Sequence, residues 1–207
     1  MHLFLTSSVH QVADKVAADI GVSVKGMRLA FILTASEVEK GDKQWIEDDR
    51  NALNTAGFVT TNYTFTGKTT EQIEKDLSGF AALYMEGGNT FYLLQVMQQT
   101  GAFTVVQKLV RAGKLYIGTS AGSIIAGPDI EPTKKLDSMD AAPNLKNFEG
   151  LGLVDFVVLP HWGSKDFKEL YLNRRLDHAY NSKHKFILLA NKYYVEVRDD
   201  GWYQIKG

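Results

Sequence analysis

The sequence contains no cysteine, which removes disulfides, thiolate metal sites and cysteine nucleophiles together. Covalent chemistry therefore falls to serine or threonine. Charge of one sign is also lacking: 23 Lys+Arg stand against 24 Asp+Glu, a net charge of -1. Nothing in that balance draws the chain to nucleic acid or an anionic membrane regardless of sequence. No run approaches the ~20 apolar residues of a membrane span, and Met1 to Thr6 has no basic region followed by a long apolar stretch. A cytoplasmic protein without membrane or nucleic-acid partners is expected. The five histidines show no HxxxH or HxH spacing, so no metal site is expected, and no cofactor.

At 207 residues the chain suits one domain with a sizeable core, and a single catalytic domain over 1–207 is the expectation. It has no internal repeat or low-complexity tract. Short apolar runs at Leu3 to Leu5, Met27 to Leu33, Phe80 to Met85, Leu115 to Thr119 and Val154 to Leu159 read as buried strands, and Phe58 to Tyr63 alternates like an edge strand. Between them, Val12 to Ile20, Asp42 to Ala56, Thr69 to Leu77 and Phe103 to Ala112 have helical periodicity, as does Lys165 to Tyr180 after the last buried run. The proline-bearing, charged stretch from Gly127 to Gly150 reads as a long surface loop. Phe186 to Leu189, Tyr193 to Val197 and Trp202 to Ile205 suggest hairpins, given the Asn191-Lys192 and Asp199-Asp200-Gly201 links. The alternation predicts an α/β fold: a mostly parallel sheet with helices on both faces and antiparallel C-terminal strands. In such sheets ligands bind beyond the carboxyl ends of the strands, just after which Ser7, Gly88, Ser120 and His161 all fall.

The most informative segment is Leu115-Tyr116-Ile117-Gly118-Thr119-Ser120-Ala121-Gly122-Ser123, a strand running into GxSxG and then into Ile124-Ile125-Ala126. A serine on such a strand-to-helix elbow sits where the backbone is crowded, so residues without a Cβ are needed on either side. Gly118 and Gly122 meet that need. The first N–H groups of the following helix have no intrahelical acceptor, and Ala121 would offer one of them to an oxyanion above Ser120. Gly87-Gly88, between a buried strand and a helix, would offer a second donor, although a glycine pair also marks an ordinary tight turn.

A serine hydroxyl needs an adjacent base. His2 lies at the far edge of the sheet, His10 near the site edge, and His178 and His184 by the end of the last long helix, where a cation meets the helix dipole. His161 ends a buried strand on the same edge as Ser120, and is the candidate base.

Three ordered motifs, Gly87-Gly88-Asn89-Thr90-Phe91-Tyr92-Leu93-Leu94, Tyr116-Ile117-Gly118-Thr119-Ser120-Ala121-Gly122-Ser123 and Leu159-Pro160-His161-Trp162, resemble those of the peptidase E family. These are serine peptidases typified by α-aspartyl dipeptidase and related to cyanophycinase. The resemblance implies a three-layer fold related to the class I glutamine amidotransferases, with Ser120 as nucleophile, His161 as base, and Gly88 and Ala121 as the oxyanion hole. Asn89 and Thr119 are implied beside the substrate, although an asparagine at position 89 would equally serve to cap the helix that follows. The family places its third triad member either in the loop after the elbow or on a glutamate near the C-terminal strands, where this chain reads Leu189-Ala190-Asn191-Lys192. The glutamate is absent, so Asp137 in the loop is taken as the orienting acid, with Asp129 an earlier alternative. Where the aspartyl dipeptidases carry a substrate-gripping arginine this chain has Leu172, and Arg175 or its neighbour Arg174 would take that place.

The expectation is a serine exopeptidase acting on short peptides, N-terminal aspartyl dipeptides among them, through an acyl-enzyme, as a monomer or homodimer. An esterase of the α/β-hydrolase type using Ser120, Asp137 and His161, and a non-catalytic domain binding a small anion or metabolite at the elbow, are the alternatives.

Overall fold

Five parallel strands carry the fold: β1 (His2–Thr6), β2 (Met27–Ile32), β3 (Phe58–Tyr63), β4 (Ala82–Met85) and β5 (Leu115–Thr119). The helices between them are α1 (Ala13–Asp19), α2 (Gln44–Ala56), α3 (Thr70–Ser78), α4 (Thr90–Thr100) and α5 (Ala102–Arg111), and α6 (Ala121–Ile124) follows β5. The computed structural model describes residues 1–134, 137–180 and 183–207, without the side chains of Arg174, Arg175, Asp177, His178 and Asp200. Helix boundaries follow local chemistry. Thr69 and Gln72 form a reciprocal capping box at the start of α3, and α2 stops at Gly57, whose φ of 115° suits a residue without a Cβ.

The sheet runs β3-β2-β4-β5-β1, and two antiparallel strands, β8 (Tyr194–Arg198) and β9 (Tyr203–Lys206), extend it beyond β1. Strand alternation divides the core in two. Leu3, Leu5, Ala30, Ile32, Leu83, Met85 and Tyr116 face α3, α4, α5 and α6, meeting Ile73, Leu94, Val106 and Ile124. Phe4, Leu29, Phe31, Tyr84 and Ile117 face α1 and α2, meeting Val16 and Leu53. Helices thus cover both faces, and the expected edge strand Phe58–Tyr63 is an edge strand.

The C-terminal third departs from expectation in two places. The run Phe186 to Leu189 belongs to β7 (Lys185–Leu189), which pairs in parallel with β6 (Phe156–Pro160) in a separate two-stranded sheet, not with β8 in a hairpin. A turn does link the two strands, with Tyr193 N–H on Ala190 O, but its arms join different sheets. Only β8 and β9 form the expected hairpin. The helix expected over Lys165 to Tyr180 is interrupted: α7 (Lys168–Leu170) and α8 (Leu176–Ala179) flank a wide π turn at Tyr171–Arg175. Tyr171, buried there, donates its hydroxyl to Pro160 O at the end of β6.

The Gly127 to Gly150 stretch is a loop, as read, but it is tied down. Asp129 bridges Glu149, Ile130 and Ala142 are buried, and Gln95 of α4 accepts from Asn144 N–H. Among the described residues no helix is long and apolar enough to cross a membrane.

The elbow helix is fastened to β1 by one hydroxyl. Ser123 Oγ accepts from Thr6 N–H at 2.9 Å and lies within hydrogen-bond distance of Thr6 O and Gly118 O, fully buried. Removing it strands Thr6 N–H in the core. We expect Ser123→Ala to lose ~1–3 kcal/mol of stability, read as a lower urea midpoint with unchanged slope; an unaltered midpoint would disprove the tie.

Candidate active site

The carboxyl ends of β4, β5 and β1 lie side by side, with Met85 and Leu5 both opposite Gly118. The chain turns from β5 into α6 in a space bounded by both neighbours. A Cβ on Gly122 would stand 2.0 Å from Met85 O, and one on Gly118 would stand 2.5 Å from Gly122 O. Both contacts are with backbone, which cannot yield as a side chain tip can. The glycines of GxSxG are therefore required by close approach. Between them Ser120 is held at φ 49° and ψ -109°, with its N–H on Thr6 O at 3.0 Å.

Among the described residues only two other than glycine have positive φ, Ser120 and His161 at 63°. Such backbone persists only where the surroundings enforce it. For His161 the enforcement comes from the strand ends: its N–H donates to Ser7 Oγ (3.2 Å), Ser7 Oγ donates to Leu189 O (2.7 Å), and Trp162 N–H reaches the same carbonyl (3.1 Å). The imidazole stacks on Phe167, with centroids 4.4 Å apart and an interplanar angle of 22°. So fixed, Nε2 lies 3.0 Å from Ser120 Oγ.

The other ring nitrogen meets an amide. His161 Nδ1 is 2.9 Å from Asn191 Oδ1, two residues beyond β7. With the amide oxygen as acceptor, the ring proton sits on Nδ1, leaving Nε2 to accept the serine hydroxyl. Asp137, expected to orient the histidine, is placed differently: its carboxylate accepts Thr90 N–H at 2.8 Å, at the head of α4. Asp129 is held by Glu131 N–H and His184 Nε2. The sequence shows Asn191 only as part of the segment that lacks the family glutamate; the expected hairpin places it in a tight turn, and the parallel pairing of β7 with β6 brings it to His161.

Two expected substrate contacts carry hydrogen bonds within the fold, Thr119 while also lining the cleft at Ser120. Asn89 is 4% exposed: its Oδ1 caps α4 through Tyr92 N–H and its Nδ2 donates to Ser138 O, both at 2.9 Å. Thr119 is buried, its hydroxyl 2.6 Å from that of Thr6 and accepting Val9 N–H. The Arg175 and Arg174 side chains lie outside the described residues.

Ser120 opens into a cleft of about 480 Å³ lined by His10, Glu39, Trp45, Gly87, Gly88 and Phe167, among others. Ala121 heads α6, so its N–H has no intrahelical acceptor; Gly88 N–H also meets no acceptor among the described residues. Gly88 sits at φ 127° with its Cα against Ala35 O, where a Cβ would be only 2.4 Å away. Glu39 and Asp137 face each other across the cleft, and burial, then the charge of Asp137, raises the Glu39 carboxyl above its ordinary value. Behind Gly87 lies a buried polar cluster of Glu86, Asp49 and Tyr84, edged by His10. The hydrogen bond to Asp49 raises the His10 imidazole above its ordinary value. No group of three or more acidic or histidine side chains able to hold a metal ion is found among the described residues.

Comparison with known proteins gives consistent relatives. The model of peptidase family S51 matches residues 3–205. The chain is 39% identical over 167 residues to an uncharacterized peptidase of Pasteurella multocida, covering 81% of this chain and 80% of that one. It is 30% identical over 139 residues to peptidase E of Salmonella arizonae, covering 67% and 57%. A 1.5 Å crystal structure of a peptidase E protein from Listeria monocytogenes superposes with a TM-score of 0.89 at 32% identity, covering 99% and 97%.

The backbone contact at Gly122 sets a direct test. Gly122→Ala forces α6 away from β4, and we expect a loss of at least ~2 kcal/mol, measured by urea denaturation. A variant as stable as the parent would show that the elbow tolerates a Cβ.

Proposed function

The chain belongs to peptidase family S51 and is a peptidase, and from that membership we propose that it is a serine exopeptidase that cleaves short peptides through an acyl-enzyme on Ser120. The observation behind this reading is the 3.0 Å contact between Ser120 Oγ and His161 Nε2, on two backbone positions held under strain.

In the reaction, His161 Nε2 takes the hydroxyl proton as Oγ attacks the scissile carbonyl. The oxyanion that forms meets the N–H of Ala121 and of Gly88, both fixed by their own backbone before substrate arrives. Collapse of the tetrahedral species returns the proton to the departing amine and leaves an ester on Ser120. Water, deprotonated by the same imidazole, then hydrolyses the ester and restores the hydroxyl. Asn191 keeps the histidine in the tautomer this sequence needs, but as an amide it offers the imidazolium no full opposite charge.

A cleft of about 480 Å³ is of the size that holds a small ligand, which supports a dipeptide or short peptide. Its described lining includes Glu39, Asp49, Asp137 and Asp166 and no lysine or arginine. Those carboxylates suit the free ammonium of an N-terminal residue. An aspartyl side chain finds no described lysine or arginine there, and the His10 imidazole is already engaged by Asp49, so a broader preference than N-terminal Asp is the reading we adopt.

A dipeptide panel varied at the first residue tests both parts. We expect several uncharged or basic first residues to be cleaved faster than Asp, and Ser120→Ala to lower turnover by more than ~10³-fold. Turnover by a folded Ser120→Ala protein would refute the nucleophile, and strict Asp selectivity would refute the specificity. Asn191→Asp places a carboxylate against the imidazole and favours its charged form. The acid limb of the kcat/KM profile should then move to higher pH, whereas an unmoved limb would mean that Asn191 does not face the working base.

A further inference from the structure

We propose that Glu86 serves the site as a neutral carboxyl that holds the Gly87–Gly88 turn in place for the oxyanion. It is a positioning residue, and the inference rests on the reading of Ser120 as nucleophile and Gly88 N–H as an oxyanion donor.

The geometry begins with which N–H groups are engaged. Glu86 follows β4, is fully buried, and turns its carboxyl back so that Oε1 accepts the N–H of the next residue, Gly87, at 2.8 Å. With that N–H drawn inward, the next one along, on Gly88, is left for the cleft. Gly87 itself lies against the nucleophile: a Cβ there would stand 3.3 Å from Ser120 Cβ and 3.9 Å from Ser120 Oγ. Any shift of this turn therefore moves a donor relative to Oγ.

The charge state follows from the neighbours. Asp49 of α2, 2% exposed, accepts Tyr84 hydroxyl at 2.6 Å on Oδ2, and His10 N–H at 3.1 Å on Oδ1, with His10 Nδ1 2.6 Å from the same oxygen. The Tyr84 hydroxyl, the His10 N–H and the His10 ring thus converge on the Asp49 carboxyl. Glu86 Oε1 meets Gly87 N–H and a long 3.4 Å approach from Tyr84, while its Oε2 meets no donor among the described residues. Two adjacent buried carboxyls cannot both ionise, and the better-solvated partner keeps the charge. Burial first, then the charge of Asp49, pushes the Glu86 carboxyl well above the usual carboxylate range. The titratable groups around it are Asp49 with Asp48 beyond it on α2, Tyr84 on β4 and His10 after β1; β5 contributes the Thr119 hydroxyl.

Neutrality matters because of where the turn lies. A buried negative charge two residues before the Gly88 donor would oppose the charge that forms on the substrate oxygen, with little water between to screen it. A protonated Glu86 supplies the acceptor for Gly87 without that penalty.

The test compares Glu86→Gln and Glu86→Ala with the parent by the rate at which a fluorophosphonate labels Ser120 between pH 6 and 10. Gln reproduces the neutral acid and keeps an acceptor for Gly87 N–H; Ala removes it. At pH 7 we expect Ala to label at least tenfold more slowly, Gln to recover to within about threefold of the parent, and the parent alone to lose rate at alkaline pH as Glu86 ionises. Labelling of Glu86→Gln as slow as Glu86→Ala, or an alkaline loss shared by parent and Gln, would overturn the inference while leaving Ser120 as nucleophile. A parent that is not labelled at all would overturn both.

Thermal unfolding keeps the charge assignment testable if Glu86→Ala does not fold. The raised value means that the folded parent holds a proton which the unfolded chain releases above its ordinary value of 4.5, so parent stability falls as pH rises through that window. Glu86→Gln lacks this loss. Its Tm relative to the parent should rise steadily from pH 5 to 9; a constant difference would show that Glu86 is ionised.

Discussion

The constraint on which this protein depends is the crowding of one backbone turn between two strand ends. Ser120 sits at a φ that costs energy, and its neighbours accept the cost because the turn is clamped from three sides. Thr6 O takes Ser120 N–H, Met85 O presses on Gly122, and Ser123 Oγ bonds to the backbone of Thr6 and Gly118. Together the clamps draw on β1, β4 and β5, so the elbow exists only when these three strands are in register. Strain on the order of 1–3 kcal/mol is tolerable when surroundings of this kind over-determine the conformation.

The histidine depends on a second convergence of the same sort. β1, β6 and β7 meet where Ser7 Oγ touches both His161 N–H and Leu189 O, and Phe167 covers the ring. The two strained residues are thus set by separate sheets, each tied to the segment at the carboxyl end of β1, Ser120 through Thr6 and His161 through Ser7. A small displacement of the two-stranded sheet against the larger one would change the Ser120 to His161 distance without altering either turn.

Electrostatically, the described site is sparing with charge at its centre. His161 is oriented by an amide, and Glu86 is pushed toward its neutral form, while Asp49 balances His10 in the wall of the cleft. A reaction that builds negative charge on a substrate oxygen benefits from that arrangement, since buried anions close to the donors would oppose it.

Much of this was legible along the chain because it is local. Strand and helix periodicity, GxSxG and the Gly-Gly turn are short-range patterns, and they placed Ser120, His161, Gly88 and Ala121 at one edge of a parallel sheet. What failed was non-local. Asn191 lies beside His161 because β7 pairs with β6 and not with β8, and strand partnership leaves no mark in the four apolar residues Phe186 to Leu189 and a turn. Asp137 looked available because its contact, Thr90 N–H, lies 47 residues away. The sequence by itself determined the elements and the strained, glycine-flanked elbow, since sterics and hydrophobic periodicity act between near neighbours. Only the tertiary structure decided which side chain orients the histidine and which carboxyl gives up its charge, since both follow from packing between distant segments and the burial it imposes.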